Sequence, residues 1–334
     1  MWFEKLTGFQ EESPENVRKK IKVDGEYLTL LSNGKKLRFG KLDIPTLEHL
    51  RKNVAIENEH KITVNEIVAD VKKLHTDLKN QHALFQVASQ FNLLEMISPN
   101  VTPEQGIDGY EYDHTQGPIC AIACGAGTIY RNYFAKVNNQ IGQTKDNQIN
   151  CLEELEREIN LNYSSLWEMK NGYVLPTEES LTHIDKQISL LNDPKREQLK
   201  GKLKIGLQWN TEVTISETKH IVSQAYCSAL PVAYSHIPSQ YWENFAKLIL
   251  EASYEATLYA ALQNLKNHLS DTVYLTLLGG GAFGNEMEWI TDSMKKAIHK
   301  FRNTPLKVFI VSYGQSNHHV ISMIEELKKE GILN

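Results

Sequence analysis

Apolar positions along the chain follow two different periods. In the C-terminal third, short apolar runs alternate with longer stretches whose apolar residues recur at helical spacing. Ser228 to Tyr234 reads as a strand, Tyr241 to Leu265 as a helix, Val273 to Leu278 as a strand, Glu286 to Phe301 as a helix and Val308 to Tyr313 as a strand, with a last helix after it. Alternation of this kind predicts an α/β chain with a largely parallel sheet covered on both faces. Further upstream, Phe85 to Ala88 predicts a strand, and Ile119 to Phe134 a helix packed closely through Ala121, Ala123, Gly125 and Gly127.

Thr63 with Glu66 has the spacing of a capping box ahead of Val64, Ile67, Val68, Val71 and Leu74, which predicts a helix and the start of the main domain, residues 61–334. Residues 150–200 are polar and helical in character, punctuated by Pro176 and Pro194, and predict an insertion that forms a rim over the core. Residues 1–60 read as a small annex. Ser13-Pro14-Glu15 is a helix start, and Asp24-Gly25 and Asn33-Gly34 flank a strand at Glu26 to Leu31, so a β-hairpin is expected there.

Composition narrows the classes. The 334 residues are 41% hydrophobic and 23% charged, which suits a folded core. The net charge of -5 is spread along the chain without the basic stripe that a phosphate backbone requires, so no nucleic-acid partner is expected. Met1 to Gln10 shows no signal or transit pattern, and no run approaches the ~18 apolar residues of a membrane span. A soluble cytoplasmic protein is expected, while the charged final turn Glu325 to Glu330 leaves open the export signal of a translocated bacterial effector. Cys120, Cys124, Cys151 and Cys227 lack the paired spacings of a zinc site or a disulfide framework, so no metal is expected. Cys227 has no base at informative spacing, and His318 and His319 are expected to face different ways and lie in solvent.

The stretch Leu278 to Glu288 joins an apolar strand, three glycines and a helix. A phosphate site needs this combination, because absent side chains let backbone N–H groups approach the oxygens and the helix start favours negative charge. The alternative reading is a tight strand-to-helix corner. No Gly-Lys-Ser/Thr follows, so it is not a P-loop.

Gly279-Gly280-Gly281-Ala282-Phe283-Gly284-Asn285, followed by a helix and the strand at Lys307 to Val311, resembles the second glycine-rich loop of the poly(ADP-ribose) glycohydrolase branch of macrodomains. Val87-Ala88-Ser89-Gln90-Phe91-Asn92 is similar to the strand end of microbial members of that branch. The resemblance covers Phe85 to Tyr313 and implies a macrodomain-like three-layer α/β/α fold with a mixed, largely parallel sheet. It further implies ADP-ribose as ligand, with Ser89, Asn92, Gln116 and Gly279 to Asn285 as binding residues and Asn92 on the distal ribose.

The departure from the family lies after Asn92. Where the family has a glycine triplet and then Gln-Glu-Glu, this chain has Leu93-Leu94-Glu95-Met96 and no triplet, so the family's catalytic glutamate cannot be carried over. Gln116 sits in the place of the family glutamine, but Gly117 and Pro118 replace the acids. Cleavage at an anomeric carbon passes through an oxocarbenium-like state and needs a carboxyl group. The acids of the loop Gly109 to Pro118 are Asp113 and Glu111, which would share one cleft if the loop were extended; Asp113 could instead bind nearby backbone or cap the coming helix. The expected function is an ADP-ribosylhydrolase acting on mono-ADP-ribosylated protein, preferably at arginine, in overall layout similar to bacterial macrodomain-like arginine ADP-ribosylhydrolases and with no cofactor. A non-catalytic binding module for ADP-ribose or an NAD metabolite is the alternative.

Overall fold

The computed structural model describes residues 1–56, 60–159, 165–268 and 270–333. The chain begins with α1 (Trp2–Thr7), α2 (Pro14–Lys20), β1 (Ile21–Asp24), β2 (Tyr27–Leu30), β3 (Lys36–Arg38), β4 (Lys41–Asp43) and α3 (Leu47–Asn53). Next come β5 (Thr63–Val68), α4 (Val71–Thr76), β6 (Leu84–Ala88), α5 (Gln116–Ala123), α6 (Gly125–Tyr133), the short pair β7 (Lys136–Val137) and β8 (Gln140–Ile141), and α7 (Glu153–Ile159). These lead to β9 (Glu168–Lys170), β10 (Tyr173–Leu175), α8 (Glu178–Ser189), α9 (Asp193–Lys200), β11 (Gly206–Glu212) and β12 (Ile221–Cys227). The last elements are α10 (Glu243–His268), β13 (Thr272–Thr276), α11 (Met287–Lys300), β14 (Lys307–Ser312) and α12 (His318–Lys329).

Seven strands form the central sheet in the order β4-β11-β12-β6-β13-β14-β5. The five from β12 to β5 run parallel, and β11 is antiparallel to both of its neighbours. One helical layer contains α10, α11 and α12, the other α4, α5 and α6, so the sheet is the middle of three layers, as expected for a macrodomain-like α/β/α chain. The expected N-terminal hairpin is present as β1–β2, extended by β3. It packs with α1 and α2 over α5 and α6 through a core of its own that includes Phe3, Leu28, Leu30, Ile129 and Tyr133. β4 and α3, although inside the first 60 residues, belong to the main layers: β4 pairs with β11 and α3 packs on α10.

Four readings of the pattern are corrected. Thr63–Val68 is a strand, because its β-branched residues complete a parallel ladder with β14. Glu66 does not close a capping box; its carboxylate accepts from Ser312, Ser316 and the Asn317 N–H at the start of α12, and the helix cap is Asp70. Ser228 to Tyr234 is a loop ending in a 3₁₀ turn at Val232–Tyr234, and the true strand is β12, whose buried Ser223 and Gln224 break the apolar signal. Their polarity is absorbed internally, with the Gln224 amide donating to Cys120 O at 2.9 Å. The helix expected over 119–134 is two helices, divided at Cys124 where the Thr214 hydroxyl receives the Gly125 N–H. The 150–200 insertion is helical in α7, α8 and α9 but also holds the β9–β10 hairpin, turned by Asn171 and Gly172 at positive φ; residues 160–164 lie outside the described residues.

Helix α10 spans 26 residues and is buried along most of its length, yet carries Glu251 and Glu255. Both are 3% exposed and enclosed by Arg196 and Lys200 of α9, Lys296 and Lys300 of α11 and Arg51 of α3, which forks onto Glu255 at 2.7 and 2.9 Å. Burial raises the Glu255 carboxyl, but the Arg51 hydrogen bonds, the Lys200 charge and the Lys300 hydrogen bond outweigh it and hold the group at about 2. A carboxyl depressed from 4.5 stabilises the fold above that pH and loses the contribution as pH falls toward 2. Glu255→Gln should therefore flatten the acid limb of stability between pH 4.5 and 2. At pH 7 it should cost ~3–5 kcal/mol in urea unfolding, since three cations lose their buried partner; an unchanged acid limb would contradict this.

Candidate functional site

Buried backbone groups must find partners, and the middle of the sheet solves this in an unusual way. β6 and β13 pair only at Leu84/Val273 and Phe85/Tyr274, then separate. The Gln86 side chain crosses the gap, donating to Thr257 Oγ at 2.9 Å and accepting from Thr276 N at 3.3 Å. On the β6 backbone itself, the Gln116 amide accepts from Ala88 N and donates to Gln86 O, both at 2.8 Å. From this split, β6 leads to α5 on one face and β13 to α11 on the other, which is where open α/β sheets form crevices. A cleft of about 710 Å³, including its open mouth, lies there.

One wall is the glycine loop. Gly279 and Gly284 have φ of 79° and 68°, and a Cβ on them would lie 2.5 Å from the Ala229 Cβ and 2.7 Å from the Ala233 Cβ. The loop is closed by Gly280 N to Leu277 O, Gly284 N to Gly281 O and Asn285 N to Gly279 O, at 3.0, 3.0 and 2.9 Å. Among the described residues, no acceptor meets the N–H groups of Gly279, Gly281, Ala282 and Phe283. Three of these four are consecutive, and a Cβ on Gly281 would meet nothing within 4 Å. Such a row of free donors beside open space is an arrangement that suits an anion. Asn285 is a brace and does not line the cleft: its amide donates to Leu230 O at 2.8 Å and ties the loop to the segment after β12.

The other wall comes from the end of β6, the 93–97 loop, the turn before α5 and the β9–β10 hairpin. Ser89 lines it, with its hydroxyl held by Gln90 O and Cys227 O. Gln116 also lines it, but its amide is spent on β6, so it is a structural bridge in place of the ligand contact expected. Asn92 is fully buried and outside the cleft, its side chain donating to Gln148 Oε1 and accepting from Leu94 N. Tyr173, Tyr234 and Phe283 form an aromatic cluster at the rim, with ring centroids 5.1 to 5.6 Å apart.

The two expected acids part company. Residues 108–112 form a 3₁₀ turn in which alternate residues do not share a face, so Glu111 turns to the annex, accepting from Trp2 N at 2.9 Å and lying 3.7 Å from Lys5 Nζ. Asp113 lines the cleft and accepts from Thr115 N at 2.9 Å with one oxygen, so the local backbone bond and the cleft position coexist. Gly117 allows the start of α5 to come this close: a Cβ there would lie 2.0 Å from Ala88 O. The four cysteines are buried, and burial pushes the Cys227 thiol up to about 11, which removes it as a nucleophile.

An acid that the pattern did not single out lines the same cleft. Glu95 is 2% exposed, and neither carboxyl oxygen has a hydrogen-bond partner. Burial raises its carboxyl to about 8, opposed only in part by the Arg131 guanidinium 3.8 Å away and by Tyr110. Its signal in the sequence was weak, a single charge within the apolar run Leu93-Leu94-Glu95-Met96.

No protein-family model matches the chain, and no curated protein sequence matches it. Among solved structures it is similar to poly(ADP-ribose) glycohydrolase from Deinococcus radiodurans in complex with ADP-ribose, with 9% identity over 86% of this chain and 95% of that one and a TM-score of 0.44. It is likewise similar to poly(ADP-ribose) glycohydrolase from Thermomonospora curvata, with 10% identity over 93% of this chain and 95% of that one and a TM-score of 0.45.

A buried carboxyl raised from 4.5 to about 8 contributes stability that is fully present below pH 4.5 and is lost as pH rises through 8. The stability difference between the wild type and Glu95→Gln, read by thermal unfolding, should therefore shift against the wild type from pH 5 to 9. A difference independent of pH would contradict this burial.

Proposed function

We propose that this protein is an ADP-ribosylhydrolase that removes mono-ADP-ribose from a protein side chain, with arginine as the preferred acceptor. The observation that carries the reading is the row of unpartnered N–H groups at Gly281, Ala282 and Phe283, which suits a diphosphate. The loop has a crevice on each side. Across from the first cleft, a second one is lined by Tyr313, 82% exposed, and by His318 and His319, whose rings lie 3.8 Å apart in contrast to the expected divergence. The two crevices share Thr276, Leu277 and Gly281, so a ligand with a sugar at either end of a diphosphate can straddle the loop. The exposed Tyr313 ring suits the adenine, and the cleft with Asp113 suits the distal ribose and its anomeric carbon.

Asp113 is the partly exposed acid of the cleft, with one oxygen free for substrate. Its charge reaches Tyr173, whose hydroxyl is pushed up first by burial and then by Tyr234 and Asp113. A carboxylate beside the aromatic pair Tyr173 and Tyr234 is a setting that a guanidinium fits through both charge and ring faces. That combination favours arginine over glutamate or serine as the acceptor.

Incubation with arginine-, glutamate- and serine-linked ADP-ribosylated proteins tests the reading. Release is expected from the arginine-linked substrate, and Asp113→Ala should lower kcat by ~10²–10⁴ while ADP-ribose binding persists. Tight ADP-ribose binding without release from any substrate would establish a binding module in its place. Gly281→Val adds a side chain where a Cβ meets nothing, so melting should not change while ADP-ribose affinity falls at least ~tenfold by calorimetry. Unchanged affinity would remove the diphosphate from this loop.

A further inference from the structure

The loop that follows β6 is held with unusual care around one residue. Three successive backbone N–H groups are each received by a side chain: Leu94 N by Asn92 Oδ1 at 3.1 Å, Glu95 N by the Tyr110 hydroxyl at 2.9 Å and Met96 N by Gln90 Oε1 at 2.8 Å. Asn92 is fixed in turn by Gln148, and Gln90 also donates to Met96 O. These contacts set the backbone of Glu95; of the three side chains only Tyr110 also acts on the carboxyl, lowering it against the larger effect of burial. Glu95 is among the residues that line the cleft, with its carboxyl oxygens buried beside Gly117, where a Cβ would be 3.2 Å from Glu95 Cγ.

An ordinary structural ion pair does not describe this group. Arg131 is fully buried and largely engaged elsewhere: Nε donates to Leu93 O at 3.0 Å, Nη2 to Thr128 Oγ at 3.1 Å, and its guanidinium stacks 3.6 Å from the Tyr226 ring, while Nη1 has no hydrogen-bond partner. It approaches Glu95 only to 3.8 Å and forms no hydrogen bond with it. A pair retained for stability is closely hydrogen-bonded, because desolvation otherwise exceeds the attraction. The other titratable groups around Glu95 are Tyr110 before α5, Cys120 on α5 and Tyr226 on β12, each raised by burial and none a cation. The surroundings favour the uncharged carboxyl, ready to give up a proton.

We propose that Glu95 is the proton donor to the leaving group in the hydrolysis of ADP-ribosyl-arginine, a role that rests on the function proposed above. The bond from the anomeric carbon to the guanidino nitrogen breaks with its electron pair moving to nitrogen, and that nitrogen takes the Glu95 proton. Asp113 stabilises the resulting oxocarbenium and accepts a proton from the water whose oxygen bonds to the anomeric carbon. The products are ADP-ribose and free arginine; Asp113 returns its proton to solvent and Glu95 regains one. Two carboxyls in unlike environments, one shielded and one solvated, thereby divide acid from base.

The test follows kcat and KM on an arginine-ADP-ribosylated peptide from pH 5 to 10 for the wild type, Glu95→Gln, Glu95→Asp and Asp113→Ala, with ADP-ribose calorimetry on each. For the wild type, kcat should fall above about pH 8, where the donor loses its proton. Glu95→Gln should lose about 100-fold or more in kcat with KM and ADP-ribose affinity nearly unchanged, and its residual rate should lack the alkaline fall. Glu95→Asp keeps a carboxyl and should regain part of the rate together with the alkaline limb. Wild-type-like kcat in Glu95→Gln, or loss of ADP-ribose affinity in step with kcat, overturns the donor role. A wild type that binds no ADP-ribose overturns the function on which the role rests, and the role with it.

Discussion

The separation of β6 from β13 is the constraint on which the rest of the site depends. Two parallel strands in the middle of a sheet cannot part without leaving orphaned backbone groups, each costing on the order of 1–3 kcal/mol when buried. Here two glutamine amides replace the missing ladder: Gln86 reaches Thr276, and Gln116 binds both ends of the Gln86–Ala88 segment. The gap can then persist as a cleft. Gln116 also draws the start of α5 onto the strand end, which is why residue 117 has no room for a Cβ.

In the proposed function, ligand holding and chemistry fall to different parts of this cleft. The glycine loop offers backbone N–H groups, and its closing hydrogen bonds fix their direction before any anion arrives, so little ordering is left to occur on binding. The proposed chemistry instead rests on side chains carried by loops that connect to the opposite helical layer and to the annex. The annex contributes at a distance: Glu11 receives the N–H groups of Ile107 and Asp108, anchoring the turn from which Tyr110 reaches the Glu95 backbone and Asp113 enters the cleft.

The parts of this architecture readable in the sequence were those with a local physical cause. The strand–glycine–helix corner at 272–300 carries its signal in consecutive residues, as do the Ser13 cap and the turns at Gly25 and Gly34. Where tertiary contacts overrode local pattern, the sequence misled. Thr63 to Val68 satisfies helical spacing, yet its β-branched residues complete a ladder with a strand 244 positions away at the Thr63–Lys307 pairing. β12 hid because buried Ser223 and Gln224 find partners only in the folded chain. The site was partly legible for the same reason: Ser89, Asp113, Gly279, Gly281, Ala282 and Phe283 line the cleft, whereas Asn92, Glu111 and Asn285 are taken up by bonds to neighbours distant in sequence. Glu95 could not be recognised, since what distinguishes it is a buried carboxyl without a hydrogen-bond partner, a property of the folded cleft alone.

The most direct measurement is a crystal structure of the protein soaked with ADP-ribose. Diphosphate oxygens are expected at ~3 Å from the N–H groups of Gly281, Ala282 and Phe283, the adenine at Tyr313, and the anomeric carbon facing Asp113 with Glu95 beneath it. A nucleotide bound elsewhere, or a diphosphate that leaves those three N–H groups without an acceptor, would contradict it.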